Sequence, residues 1–516
     1  MFYPAHRSHR KLNMQKYDTV LRNAYVNGSY ISDIGVKNGI IVALGNSLST
    51  TEDTRVIDCE FAVVTPGGVD GHVHLAQDRS PRAKEAGYQS ADTIETGTRS
   101  AVAGGTTTVI LFAEQSKGRS LKAQVEAYHD VAREQGSYAD YGFHAIITDP
   151  TRKVLEDELP AMALSGEIMS MKLFLTYKHM RISDSQVLTA LLKARELGMV
   201  ALVHAENGDL VDFFTDELTS RGLTEPMYKA IAHPPEAESE AVNRAVTFSS
   251  VMDTPLLIVH VSVQESIRVI ERAQAHLKPV FAETCPQYLL LGKERLTEEH
   301  CCGAKFVCSP PLRSDQKDIE EIWRGIMNGT FTILSSDHCP YRFEDPKGKK
   351  LGARIDNRGV PSANFTRIPN GLPGVETRLP LLFSEGCLKR QCIDVKRFVE
   401  LTSENPAKLY GLWPRKGAIQ IGSDADLVLW HPQSAFKPFR LKHSQHLHDG
   451  CDYSPYEGIE FSNWPRMTLL RGQVVFNDGV VHKAMKSGRF VHRSQCTLPW
   501  RRRMRGDWDV LHAAVS

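Results

Sequence analysis

His72 and His74 stand two residues apart in Gly68-Val69-Asp70-Gly71-His72-Val73-His74, just after the apolar run of residues 61–65. On a strand, residues i and i+2 face the same side, so both imidazoles can serve one metal ion. Such a pair is weak evidence alone, because histidines also sit in cores with their hydrogen bonds satisfied. Other apolar runs end on His204 (Val203-His204-Ala205-Glu206-Asn207), His260 (Ile258-Val259-His260-Val261) and Asp337 (Ser335-Ser336-Asp337-His338). A further run carries Lys172 inside Met171-Lys172-Leu173-Phe174-Leu175. Four histidines, a lysine and an aspartate at matching places in successive segments make the donor set of a metal centre.

Lys172 has a chemistry of its own. A bare ammonium inside an apolar strand is costly. One solution is a lowered pKa and a neutral amine, which can add CO2. The resulting carbamate is anionic and has two oxygens, able to bridge two cations whose shells the histidines complete. The competing account is a lysine that snorkels to solvent or pairs with a carboxylate; the other donors weigh against it. Lys178 lies past the strand end and reads as exposed.

Repeated strand–helix units must position these residues. Apolar runs at 61–65, 106–112, 142–147, 168–175, 199–203, 256–259, 279–283 and 331–334 alternate with helical patterns such as 184–197 and 265–276. Eight units predict an α/β fold, a closed (β/α)8 TIM-like barrel, with its active site at the carboxyl ends of the strands. The flanks differ. Asn27-Gly28, Asn38-Gly39 and Asp478-Gly479 are hairpin pairs between short β-type runs, which predicts a small β-sandwich domain built from both chain ends. The expected division is a disordered leader at 1–13, the β-sandwich at 14–65 and 411–495, the (β/α)8 barrel at 66–410, and a tail at 496–516. The polar, Lys- and Gly-rich stretch 342–358 reads as a mobile surface loop.

Composition narrows the class. The chain has 516 residues, 41% hydrophobic and 24% charged, with a formal net charge of +1. That balance argues against a general nucleic-acid or membrane-surface binder. No run of 18 apolar residues suggests a membrane span. The basic first thirteen residues lack the apolar core of a secretory signal. Ten scattered cysteines without a C-x-x-C pair do not form a disulfide framework. Cys285, Cys308 and Cys339 read as reduced thiols, with Cys339 close to Asp337.

The chain resembles the cyclic-amide hydrolases of the amidohydrolase superfamily, and within them the dihydropyrimidinase or hydantoinase family in its fungal form. The motifs that carry the resemblance span about Met14 to Trp500. Besides the histidine pair they include Ala103-Gly104-Gly105-Thr106-Thr107-Thr108, Met171 to Tyr177, and His204-Ala205-Glu206-Asn207-Gly208-Asp209. Further along come Glu283-Thr284-Cys285-Pro286-Gln287-Tyr288, Ser309-Pro310-Pro311-Leu312-Arg313, Ser336-Asp337-His338-Cys339 and Ile368-Pro369-Asn370-Gly371.

The resemblance implies two Zn²⁺ per chain and a carbamate on Lys172 (N6-carboxylysine), formed from CO2. His72, His74 and Asp337 would hold one zinc, His204 and His260 the other, with Lys172 as the bridge. Tyr177 would donate to the substrate oxygen, and Ser309 and Asn370 would bind the amide edge of the ring. Asp337 and Tyr177 would be the catalytic groups. The implied reaction opens dihydrouracil, dihydrothymine or a hydantoin to an N-carbamoyl amino acid, in pyrimidine catabolism. The implied setting is a cytoplasmic homotetramer acting on a small molecule, without nucleic acid or membrane.

One letter bears on the substrate. Dihydroorotate hydrolases of this superfamily usually carry arginine two residues after the second histidine, where Ala76 stands here. An arginine–carboxylate fork is hard to replace, so a carboxylated ring is disfavoured. The segment 76–82 is polar for a relative handling bulky apolar hydantoins. An allantoinase-like hydrolase is the enzymatic alternative. A non-catalytic scaffold of the same family is the other, and the retained donors oppose it.

Overall fold

A computed structural model of the protein describes residues 16–77, 87–299, 301–313, 316–355 and 361–499. The expected leader, the tail from residue 500 on and the polar segment 78–82 lie outside the described residues.

Eight parallel strands form the barrel: β1 (Gly68–Val73), β2 (Thr106–Glu114), β3 (Asp140–Ile146), β4 (Ser170–Phe174), β5 (Val200–His204), β6 (Leu256–Ile258), β7 (Val280–Thr284) and β8 (Ile333–Leu334). They pair in chain order, each with the next. Helices wrap the outside, and their ends follow local chemistry. Ser183 and Gln186 form a capping box at the start of Asp184–Leu197, and Gly198, in the left-handed region, ends it.

Side-chain parity decides what faces inward. Val200, Leu202, Phe174, Leu257, Phe281 and Ile333 belong to the inner apolar cluster, closed at the base by Leu409, Tyr410 and Leu412. Their neighbours Ala201, Val203 and Leu173 belong to the larger cluster between strands and helices. Lys172 shares parity with Phe174, and His204 with Leu202, so period two turns both toward the interior. Burying a Leu or Phe of this kind contributes about 1.5–3 kcal/mol, which pins the register.

The seam between β8 and β1 is closed differently, because β8 is only two residues long. Val73 bridges His338 in parallel, and the His74 N–H donates to the His338 carbonyl at 2.7 Å. The buried Asp70 carboxylate accepts from the His72 and Ser336 N–H groups through one oxygen, both at 3.2 Å. Its other oxygen lies 3.3 Å from the guanidinium of the buried Arg378, which also donates to the Leu334 carbonyl at 2.8 Å. Gly71 sits here because a Cβ would meet the Tyr410 ring at 2.1 Å.

Strands from both chain ends share a second, nine-stranded mixed sheet. Strand Thr19–Val26 pairs with Arg55–Asp58 along its first half and with Val63–Pro66 along its second. One core draws on all of these strands, including Leu21, Val26, Ile57, Val64, Leu427 and Leu469. Lys416 ties this sheet to β3, with its ammonium 2.5, 2.8 and 2.7 Å from Asp140, Asp424 and Asp426. The three aspartates resemble a cation site, and the lysine fills it.

Two sequence expectations need correction. The run at 61–65 contributes to the terminal sheet through Val63–Pro66, and β1 is the histidine motif itself. The stretch 342–358 is not simply a surface loop in its described part, 342–355. Lys349 is fully buried and donates to the Val307 and Pro369 carbonyls, both at 2.8 Å. Two backbone acceptors outweigh the polar composition of the stretch.

Candidate active site

A cavity of about 580 Å³ opens at the carboxyl ends of the strands, within the range of small-molecule sites. His72, His74, Lys172, His204, His260 and Asp337 all line it. So do Tyr177, Ser309 and Asn370. Lys178, read as exposed, reaches the rim, where it lies 3.8 Å from Asp212 with its side chain 64% exposed. Cys339 also lines the cavity.

The histidine pair and Asp337 form the tightest group, with donor atoms within 4.8 Å of one another. Nε2 of His72 and of His74 lie 3.2 and 3.3 Å from the same Asp337 oxygen, Oδ1. The outer ring nitrogens are occupied: His72 Nδ1 meets Glu283 Oε1 at 2.6 Å, and His74 Nδ1 meets Gln77 Oε1 at 2.8 Å. Those acceptors place the protons on Nδ1 and the lone pairs on Nε2. Glu283 also accepts from the His260 N–H at 3.1 Å. His260 stacks edge-on to His204, ring centroids 4.5 Å apart, and its Nδ1 is buried without a hydrogen bond.

Electrostatics matches this donor set. Burial, reinforced by Lys172, holds the His72 imidazole well below its usual pKa and so neutral. Burial does the same to His260, with His204 and Lys172 adding to it. Burial pulls Lys172 down to about 8, against Glu283 and Asp337. Burial would raise the Asp337 carboxyl, but His72, His74 and Lys172 outweigh it and keep it below the usual range. Tyr177, His260 and Asp337 have φ of 64°, 42° and 49°. Each such residue costs on the order of 1–3 kcal/mol, a strain concentrated where the donors converge.

Comparison with known proteins now adds to the geometry. The sequence pattern of the amidohydrolase family matches residues 63–475. The chain belongs to the amidohydrolase family. This amidohydrolase is 38% identical to a D-hydantoinase of Ralstonia pickettii over 480 residues, 92% of this chain and 99% of that protein. It is equally similar, at 38% over 474 residues, to a D-phenylhydantoinase of Escherichia coli, covering 92% of this chain and 96% of that one. The crystal structure of a dihydropyrimidinase from Brevibacillus agri superposes with a TM-score of 0.86 at 37% identity, covering 93% of this chain and all of that one. An L-hydantoinase (dihydropyrimidinase) from Arthrobacter aurescens gives 0.80 at 26% identity, covering 92% of this chain and all of that one. The hydantoinase resemblance read from the motifs agrees with these relatives. Membership of the family and the clustered donors together point to a divalent metal.

Some working residues of this amidohydrolase carry no strong signal in sequence. Glu283 was visible as a carboxylate closing an apolar run, yet its hold on His72 spans 211 residues. Gln77 and Asp70 orient histidines through single hydrogen bonds that no spacing rule announces. Glu206, two residues after His204, meets its Nε2 at 2.6 Å.

Proposed function

We propose that this amidohydrolase opens a neutral cyclic amide, such as dihydrouracil, dihydrothymine or a hydantoin, to an N-carbamoyl amino acid at two zinc ions joined by a carbamate on Lys172. One observation carries the reading: the Nε2 atoms of His72 and His74 converge on one carboxylate oxygen at 3.2 and 3.3 Å. Donors of a tetrahedral zinc lie about 3.3 Å apart, so the spacing fits a cation between them. The 38% identity to D-hydantoinases supports the choice of ring.

Lys172 fits the bridging role because it is buried among donors and burial favours its neutral amine, the form that adds CO2. When bound, two divalent cations supply Lewis acidity that lowers the pKa of a water and polarises a carbonyl. Asp337, held ionised, accepts the proton of the attacking water and passes it to the ring nitrogen as the C–N bond breaks. Tyr177 donates its hydroxyl proton in a hydrogen bond to the developing oxyanion. Ser309 Oγ and Asn370 Oδ1 are buried without hydrogen bonds. Such atoms are costly unless a ligand pairs them, which suits the N–H and C=O edge of a cyclic amide.

Ala76, buried two residues past His74, offers no cation to a ring carboxylate, which favours neutral rings over dihydroorotate. The family resemblance adds a cytoplasmic homotetramer serving pyrimidine catabolism to this reading. The test is turnover by protein loaded with zinc and bicarbonate, on dihydrouracil and hydantoin beside allantoin and dihydroorotate. The reading expects ring opening of the first two. Turnover of only the latter two would overturn it, and absence of any turnover with metal bound would favour a scaffold.

A further inference from the structure

A chain of three buried hydrogen bonds runs from the cavity wall to His204. Lys229 Nζ lies 2.7 Å from His233 Nε2. His233 Nδ1 lies 2.7 Å from Glu206 Oε1, and the other oxygen of Glu206 lies 2.6 Å from His204 Nε2. Lys229, His233 and Glu206 are each at most 4% exposed, and Lys229 and His233 both line the cavity.

The direction of this chain is forced. An ammonium only donates. Lys229 therefore gives its proton to His233 Nε2, which leaves the His233 proton on Nδ1. That proton goes to Glu206. An ionised carboxylate only accepts, so the second Glu206 oxygen accepts the His204 proton, which sits on Nε2, while Lys229 and His233 hold that carboxylate in place. The lone pair of His204 is left on Nδ1, and among the described residues that atom makes no hydrogen bond. His233 cannot drift, because Arg313 donates to its carbonyl at 2.6 Å and to Ser262 Oγ at 3.0 Å, two residues beyond His260.

We propose that Lys229, His233 and Glu206 are positioning residues: Glu206 fixes the His204 tautomer, and Lys229 and His233 hold that carboxylate so that His204 Nδ1 is the donor to the second cation. This rests on the two-metal reading above. It assigns Lys229 a task that its place in the wall of a substrate cavity would not suggest. The cation at His72, His74 and Asp337 stands outside the chain, so the effect of cutting it is confined to one of the two metals.

The experiment has two readouts. In metal-free protein labelled with ¹⁵N-histidine, the His204 signal, assigned by its loss in His204→Gln, reports which ring nitrogen carries the proton. Zinc titration against a chromophoric chelator reports the two affinities. Wild type is expected to show a protonated Nε2, and Glu206→Gln, whose amide can accept or donate, a mixture of tautomers. Lys229→Met, which loosens the hold on Glu206, is expected to bind the weaker zinc about 10- to 100-fold less tightly, with the tighter zinc unchanged and Lys229→Arg close to wild type. His233→Leu cuts the same chain at its centre and is expected to give the same loss if Lys229→Met does not fold. An unchanged tautomer and two wild-type affinities in these variants would overturn the proposal, as would an equal loss at both metals. A wild type that takes up no zinc would count against the two-metal reading, while the tautomer readout still decides the role of Glu206.

Discussion

His72 Nε2 and Asp337 Oδ1 face each other at 3.2 Å, while Glu283 holds the other side of the His72 ring at 2.6 Å. The neutral His72 lone pair aimed at an ionised carboxylate is repulsive, and His74 Nε2 lies 3.3 Å from the same oxygen. A cation between them turns the repulsion into ligation. Stripping metal with a chelator is therefore expected to lower the melting temperature, and zinc to restore it. At a hundredfold excess over its dissociation constant a ligand stabilises by about 2.7 kcal/mol. A melting temperature indifferent to zinc would contradict this.

Glu283 is the residue on which two of the proposed ligands, His72 and His260, lean. Its carboxylate receives the His260 N–H and orients His72. Glu283→Gln keeps the shape but loses the charge. It is expected to weaken zinc binding about 10- to 100-fold, measured as the chelator concentration that removes half the metal. Wild-type retention of metal would confine Glu283 to a packing role.

Tyr177 stands at the cavity with φ of 64°, its ring 5.4 Å from that of His204. Tyr177→Phe is expected to lower kcat about 100- to 1000-fold, the cost of losing one oxyanion donor, with metal content unchanged. Unchanged turnover would remove Tyr177 from the oxyanion role.

Lys349 supplies a pH dependence of stability. Burial pulls its amine down to about 7, opposed by Cys308, Cys339 and Cys451, from 10.5 in the unfolded chain. Between those values the unfolded state binds the proton and the folded state does not. Stability from this group therefore rises with pH across that interval and is absent below it. The melting temperature of wild type relative to Lys349→Met is expected to shift in favour of wild type from about pH 7 to about pH 9. A flat difference would show that Lys349 stays protonated when folded.

Much of this architecture was legible because barrel strands buried on both faces leave continuous apolar runs. β2, with nine buried residues from Thr106 to Glu114, is the clearest case. β1 was missed for the opposite reason. It carries two glycines, an aspartate and a histidine in six residues, so the neighbouring run at 61–65 outscored it. The ligand candidates stood out as ionisable residues at apolar strand ends. Their supports did not, because Glu283, Gln77 and Glu206 act through side-chain hydrogen bonds that no sequence pattern announces. Lys349 was hidden by the polar residues around it.

The most direct test of the central claim is a crystal structure of the protein prepared with zinc and bicarbonate, with anomalous data at the zinc edge. Two zinc peaks are expected, one at His72, His74 and Asp337 and one at His204 and His260. Density for a carboxylate on the Lys172 amine should join them. A fully active protein with a bare Lys172 amine, or with a single zinc, would contradict the account.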